Sequence, residues 1–250
     1  MSELIFLDAD NTLWDTNSVY GDAQEWLLAE IERLQGLQAQ TETRLAYVRA
    51  VDQELAHRHH AGLGYPSRLL ARALGFVLEG DPVERAAKRA WSDNDNGMLE
   101  TVAAAMEVEF GRRLGAMPAL RPGVVEAIDR FKHAGMTTVV LTEGSRPRVL
   151  RTLNHHGLAQ QIDKVIQARK DERLFRRAKR LTGRPKIFMV GDQLDRDIAP
   201  AKAAGLETIY FPGGFAPRWA PEVIAVGPDH IVTSLADAAD IVLDRASAFA

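Results

Sequence analysis

The sequence predicts an α/β protein in which a parallel sheet, covered by helices on both faces, is interrupted by an all-helical insertion. Three observations predict it. A buried strand stands alone near the N-terminus, no convincing strand follows before residue 116, and strands alternate with helices from Arg121 onward. Such alternation builds parallel sheets. Punctuation shifts at the same place, since of 11 prolines only Pro66 and Pro82 precede residue 117.

Leu4-Ile5-Phe6-Leu7 is a continuous apolar run, the mark of a strand buried on both faces. It ends in Asp8-Ala9-Asp10-Asn11-Thr12. Side chains alternate along an extended chain, so Asp8 and Asp10 project to one side. Two carboxylates held together repel, and a cation or a shared proton relieves them. Ordinary turn chemistry also uses an Asp-Asn pair at a strand end.

Segments around 18–35, 41–59, 67–78, 82–91 and 98–114 carry helix formers with apolar residues three and four apart, such as Leu27, Ile31 and Leu34. Asp81-Pro82 reads as an N-cap followed by proline at the first helical position. Pro122-Gly123 opens a helix bearing Val124, Val125, Ile128 and Phe131, and Thr137 to Thr142 is β-branched and apolar, a strand by propensity. A helix through Val149, Leu150 and Leu153, a short strand at Lys164-Val165-Ile166, and a charged helix follow. Then come a strand from Lys186 to Val190, a helix, and a strand from Thr208 to Phe211. The helices of this half stop at Gly135, Gly157, Gly183 and Gly205, because glycine tolerates the left-handed conformation past a helix end. The expected division is a core of residues 1–15 and 117–250 with a helical cap over 16–116. Ligands of such sheets bind beyond the carboxyl ends of the strands, where a cap would exclude water and read the substrate.

At 250 residues the chain has room for a core with an inserted domain. A net charge of −3 gives no electrostatic footprint for nucleic acid. The absence of cysteine excludes disulfides, thiolate metal sites and a cysteine nucleophile. With no signal peptide and no apolar run able to span a bilayer, no membrane partner is expected and the expected location is cytoplasmic. Nothing in the chain specifies an oligomeric state.

Four features fall at the ends of the expected strands. They are Asp8 to Thr12, Thr142, Lys170 at the entry to a charged segment, and Gly191-Asp192-Gln193-Leu194-Asp195-Arg196-Asp197-Ile198. Carboxylates, a hydroxyl and an ammonium on one edge can hold a hard cation together with a phosphate. In order and strand context these segments resemble the haloacid dehalogenase-like hydrolase superfamily. Its loops read hhhDxDx(T/V), a strand ending in Thr or Ser, a Lys, and an acidic GDxxxxD-type loop. The resemblance spans 4–12, 137–145, 170–175 and 186–205, and extends to Ala203-Ala204-Gly205.

The resemblance implies a Rossmann-like core with a cap of the family's C1 type, and an Mg²⁺-dependent phosphatase acting on a small phosphorylated metabolite. Asp8 would be the nucleophile that forms an aspartyl-phosphate. Asp10 would protonate the leaving oxygen and then deprotonate water, while its backbone carbonyl binds the metal. Thr142 would hydrogen-bond a phosphoryl oxygen, and Lys170 would balance charge on nucleophile and phosphate. Asp192 would be the direct carboxylate ligand to Mg²⁺, with Asp197 supporting the metal or the lysine from behind. Asn11 occupies a phosphate-loop position and would contribute backbone contacts.

Asp10 selects among the family's chemistries, because relatives that attack carbon lack Asp there. Relatives that cleave phosphonates use a cap lysine, and the insertion's one lysine, Lys88, lies in the solvated stretch Arg85 to Arg89. A phosphomutase shares the intermediate and remains an alternative, as does a non-catalytic binding protein on this fold. Glu143 departs from the family's small or amide residue: it would pair with Arg146 or Arg148, repel substrate, or recognise a cationic group. Lys164 and Asp195 are secondary candidates beside Lys170 and Asp197. Among weaker features, Asp93 to Gly97 reads as a polar interhelical turn, and His57, His59, His60, His155 and His156 as helix-end residues. Trp14 would pack against substrate or cap, or fill the core. Tyr65-Pro66-Ser67-Arg68 would start a helix or present Arg68 to substrate, and Pro212 to Phe215 would form a loop on the active edge.

Overall fold

Side-chain alternation organises the sheet around its first strand, β1 (Leu4–Leu7). In the computed structural model, which describes residues 3–59, 64–92, 98–184 and 186–247, Leu4 and Phe6 enter one apolar cluster and Ile5 and Leu7 another. Both faces are therefore buried, which is why the strand reads as an unbroken apolar run.

The chain divides into two compact units, residues 1–17 with 118–250, and residues 18–117. After β1 come the helices α1 (Thr16–Gln35), α2 (Arg44–Arg58), α3 (Arg68–Leu78), α4 (Val83–Ser92) and α5 (Met98–Leu114). The first unit resumes with α6 (Val124–His133), β2 (Thr137–Thr142), α7 (Arg146–His155), β3 (Lys164–Gln167), α8 (Glu172–Thr182) and β4 (Ile187–Gly191). A π-helical turn, Leu194–Ile198, leads into α9 (Ala199–Ala203), then β5 (Glu207–Tyr210), α10 (Val223–Val226), β6 (His230–Ile231) and α11 (Leu235–Ser247).

The six strands lie in the order β3-β2-β1-β4-β5-β6, all parallel. Leu7 stands level with Val140 on one side and Val190 on the other. That register brings the ends of β1, β2 and β4 to one edge. One face is covered by Val124, Ile128 and Phe131 of α6, Val149 and Leu153 of α7, and Leu235 and Val242 of α11. The other is covered by Phe175 of α8 and Ala201 of α9, with the Phe6 and Phe175 rings edge to face at 6.0 Å. The architecture is the expected Rossmann-like α/β fold.

The helical unit has its own core, in which Leu27, Leu28 and Ile31 of α1 meet Val51, Leu55, Leu74 and Phe110. Ala86, Ala87 and Ala90 are fully buried on α4, small side chains that let that helix pack closely. Among the described residues no helix is long and apolar enough to cross a membrane.

Several boundaries differ from expectation. α4 begins at Val83, one residue past the expected start: the Pro82 carbonyl accepts the Ala86 N–H, and the Asp81 carboxylate pairs with Arg85 and Arg89. β6 and α11 lie beyond the last expected strand, and a strand of two residues is too short to show a pattern. His60 and the turn Asp93 to Gly97 lie outside the described residues.

Gly123 marks a tight point of the core. Its φ is 77°, and an added Cβ would lie 2.5 Å from the Ala236 nitrogen. Gly123→Ala should therefore destabilise the protein by about 1–3 kcal/mol, read as a lower urea midpoint with an unchanged slope. A midpoint equal to wild type would refute this packing.

Candidate active site

Burial and charge collect at the carboxyl edge of the sheet. The Asp8 N–H donates to the Val190 carbonyl at 2.9 Å, extending the ladder by one residue. Asp8, Lys170, Asp192 and Asp197 are all buried. The Lys170 ammonium donates to Asp8 Oδ1 and to Asp197 Oδ1 at 2.5 Å. Oxygens of Asp8, Asp192 and Asp197 lie within 4.8 Å of one another. Three carboxylates thus surround one ammonium, and each unscreened carboxylate pair costs about 3 kcal/mol at an effective dielectric of about 20. One ammonium balances only one of the three carboxylates, so the cluster calls for a further cation or a proton.

Local geometry explains how the sequence assembles this cluster. In the π-helical turn the N–H groups of Asp197 and Ile198 both donate to the Gln193 carbonyl, at 2.9 and 3.2 Å. The Asp197 carboxylate accepts the Gln193 N–H at 2.9 Å, so its other oxygen is presented to Lys170. A Cβ on Gly191 would overlap the Asp197 carboxyl, so only glycine fits at the end of β4. Asp195, on the same turn, is exposed, as is Lys164 at the start of β3; neither belongs to the cluster.

Burial pushes the Asp8 carboxyl up to about 7, opposed by Lys170 and reinforced by Asp197 and Asp10. Burial also holds Asp192 well above the usual carboxylate range, with Asp8 and Asp197 adding to it. For Lys170 burial disfavours the charge, yet Asp197 and Asp8 outweigh it and hold the ammonium above its ordinary value.

Asp192 Oδ1 is buried and has no hydrogen-bond partner. An orphaned carboxylate oxygen beside two other buried carboxylates is what a hard, oxygen-seeking cation requires. The residues present therefore fit Mg²⁺, the ion that the resemblance implies.

The Asp10 carboxylate stands outside this trio. Its Oδ1 accepts the Trp14 Nε1–H at 3.1 Å and the Thr16 hydroxyl at 2.6 Å. Its Oδ2 faces the Thr142 hydroxyl across Gly144, where an added Cβ would lie 3.2 Å from each. The Thr142 hydroxyl accepts the Gly144 N–H at 2.9 Å. Asp10 Oδ2 and the Thr142 hydroxyl therefore flank the same glycine. Trp14 is a core residue, 1% exposed.

Asn11 adopts a left-handed φ of 59°, and its side-chain oxygen accepts the Asn17 N–H at 2.7 Å. Glu143 pairs with neither Arg146 nor Arg148. Its carboxylate accepts the Lys170 backbone N–H at 2.8 Å and the Arg196 guanidinium at 3.2 Å, so both oxygens brace neighbouring loops. Arg146 instead donates to the Val165 carbonyl. Gly213, in the loop after β5, sits so close that an added Cβ would be 2.5 Å from Asp192 Oδ2. Elsewhere Arg68 stands 4.0 Å from Glu107, and the His59 ring lies 4.7 Å from that of Trp91. Nε2 of His156 lies 2.9 Å from the Pro118 carbonyl oxygen. Thr16 and Arg121 also belong to the site's surroundings, and no motif in the sequence marks either. A hydroxyl six residues after Asp10 was the one available signal for Thr16.

A family model described as haloacid dehalogenase-like hydrolase matches residues 3–205. No curated protein matches the chain. Among solved structures, a protein named as a predicted phosphoglycolate phosphatase from Haemophilus somnus is 18% identical, with a TM-score of 0.64 over 96% of this chain and 98% of that one. A protein named as a HAD-hydrolase from Bacillus subtilis, solved with magnesium, is 17% identical, with a TM-score of 0.60 over 96% and 98%. One named as a β-phosphoglucomutase from Thermotoga maritima is 18% identical, with a TM-score of 0.60 over 98% and 99%. At these identities the likeness establishes the fold.

Charge crowding gives a pH-dependent prediction. A carboxyl whose folded value is raised adds stability below its unfolded value and loses it as pH climbs through the folded one. Asp192 is such a group, and Asp192→Asn removes the charge that folding opposes. In chelator, the variant's Tm should match wild type near about pH 4 and exceed it at about pH 8. A variant Tm at or below wild type at the higher pH would refute the repulsion.

Proposed function

The chain belongs to the haloacid dehalogenase-like hydrolase family, and on that premise we propose that it is an Mg²⁺-dependent phosphatase. Its substrate would be a small-molecule phosphate monoester, cleaved through an aspartyl-phosphate on Asp8. The observation that carries this reading is the buried Asp8 carboxylate, fixed by Lys170 beside the orphaned oxygen of Asp192.

In the first step an Asp8 oxygen attacks phosphorus and the ester P–O bond breaks. Asp10 gives its proton to the departing oxygen. Thr16 and Trp14 occupy one oxygen of Asp10, which leaves Oδ2 to carry the transferred proton. In the second step Asp10 removes a proton from water as it attacks the acyl phosphate. The bond between phosphorus and Asp8 then breaks, inorganic phosphate leaves and the carboxylate is restored. Splitting one displacement into two lowers each barrier, and donors aimed at the equatorial oxygens stabilise the charge of the transition state. The Thr142 hydroxyl and the Lys170 ammonium are those donors. Mg²⁺, held by Asp8, the Asp10 carbonyl and Asp192 with Asp197 behind, would supply the positive charge that lets an anionic nucleophile approach a phosphate. Substrate choice is assigned to the helical unit, as the work of a cap.

An aryl phosphate should be turned over with Mg²⁺ and spared in chelator. Asp8→Asn should lower turnover by about 10³-fold or more with the fold intact, and undiminished activity would remove the nucleophile. Asp10→Asn should slow poor leaving groups more than good ones; an equal loss across a leaving-group series would contradict its acid role. Release of inorganic phosphate, rather than of an isomeric sugar phosphate, separates hydrolysis from transfer.

A further inference from the structure

We infer that Arg121 is a positioning residue, whose guanidinium ties the loop after β1 to the loop after β5 and thereby sets where Asp192 stands. The inference rests on the proposed reading: its kinetic part on the phosphatase chemistry, and its metal-binding part on the Mg²⁺ site alone.

One Nη1 of Arg121 donates to the Asn11 carbonyl and to the Phe211 carbonyl at 3.3 Å. The other, Nη2, donates to the Pro212 carbonyl at 2.8 Å. The guanidinium carbon lies 3.5 Å from the centre of the Phe211 ring. The backbone N–H of Arg121 donates to the Leu13 carbonyl at 3.0 Å. A single residue thus binds both ends of the turn that follows Asp10, and both residues that precede Gly213.

The two loops held in this way border the acidic cluster at Asn11 and Gly213. Asn11 follows Asp10 directly, and its left-handed φ of 59° is one asparagine tolerates through local side-chain hydrogen bonding, here from the Asn17 N–H; it aims the Asn11 carbonyl at Arg121. On the other side, a Cβ on Gly213 would fall 2.5 Å from Asp192 Oδ2 and 2.8 Å from the Asn11 Cβ. The two loops therefore meet at Gly213 with Asp192 beneath them and no room for a methyl group. If either loop relaxed, the carboxylate with the orphaned oxygen would gain freedom.

The choice of side chain follows from this load. Arginine is a flat fork that can serve three carbonyls while stacking on a ring. Lysine offers one tetrahedral point charge and no plane. The described hydrogen-bond partners of this half-buried cation are backbone carbonyls; burial pulls the guanidinium below its ordinary value, and the fields of Asp192 and Asp15 oppose that only in part. A guanidinium engaged in this way does not touch the reacting atoms; it acts through the groups it holds.

The test compares wild type, Arg121→Lys and Arg121→Ala. Mg²⁺ half-saturation is read from the metal-induced rise in Tm, without turnover, and kcat and KM from aryl phosphate hydrolysis. Both variants are expected to need about tenfold more Mg²⁺ or more, the cost typical of losing a group that orients a metal ligand. Turnover should fall mainly through kcat, and low concentrations of guanidinium should restore part of it in Arg121→Ala. Wild-type half-saturation in Arg121→Ala would overturn the inference, as it would in Arg121→Lys should the alanine variant not fold. Loss of kcat with neither a metal shift nor guanidinium rescue would overturn it too. A wild-type protein that binds Mg²⁺ without hydrolysing phosphate would sink the phosphatase reading, yet leave the metal comparison to decide Arg121. A wild-type protein without any Mg²⁺ response would sink both.

Discussion

Excess buried negative charge is the constraint to which the rest of the first unit answers. Asp8, Asp192 and Asp197 converge within 4.8 Å around the one ammonium of Lys170. Left alone, such a group would drive the loops apart or take up protons. It survives folding because each carboxylate is anchored on a different rigid base: the end of β1, the end of β4, and a π-helical turn. The fold thus stores a demand for positive charge at a fixed point, which is the form of preorganisation that phosphoryl transfer requires.

Close approach of backbone makes that anchoring possible. Gly191 lies under the Asp197 carboxyl and Gly213 against Asp192, and neither position has space for a Cβ. Around them, further polar groups hold the loops in register. Glu143 joins the turn after β2 to the Lys170 backbone and to Arg196. Thr16 and Trp14 orient Asp10.

Much of this fold is legible in the chain because its signals are local. The apolar run of β1, the β-branched run of β2 and the glycines at 135, 157, 183 and 205 each report on neighbours a few residues away, and all four glycines have positive φ. β6 left no trace, since two residues cannot display a period. The Asp81-Pro82 pair marks the start of α4, but not the pairing of Asp81 with arginines one and two turns later. In the candidate site, residue types and their order at strand ends were readable. Pairing was not: Glu143 finds Arg196 at a separation of 53 residues rather than the arginines beside it. Arg121 reaches Asn11 across 110 residues, and no spacing rule encodes a contact of that kind.

The state of Lys170 has a consequence for handling the protein. Only seven of the 31 basic residues are lysines, and this one is 8% exposed and held protonated between two carboxylates. Acylating reagents need a neutral, accessible amine, so they will reach solvent-facing lysines such as Lys88, Lys164 and Lys179 first. Dyes, biotin or a resin can therefore be coupled through amines while the buried edge of the sheet keeps its cation.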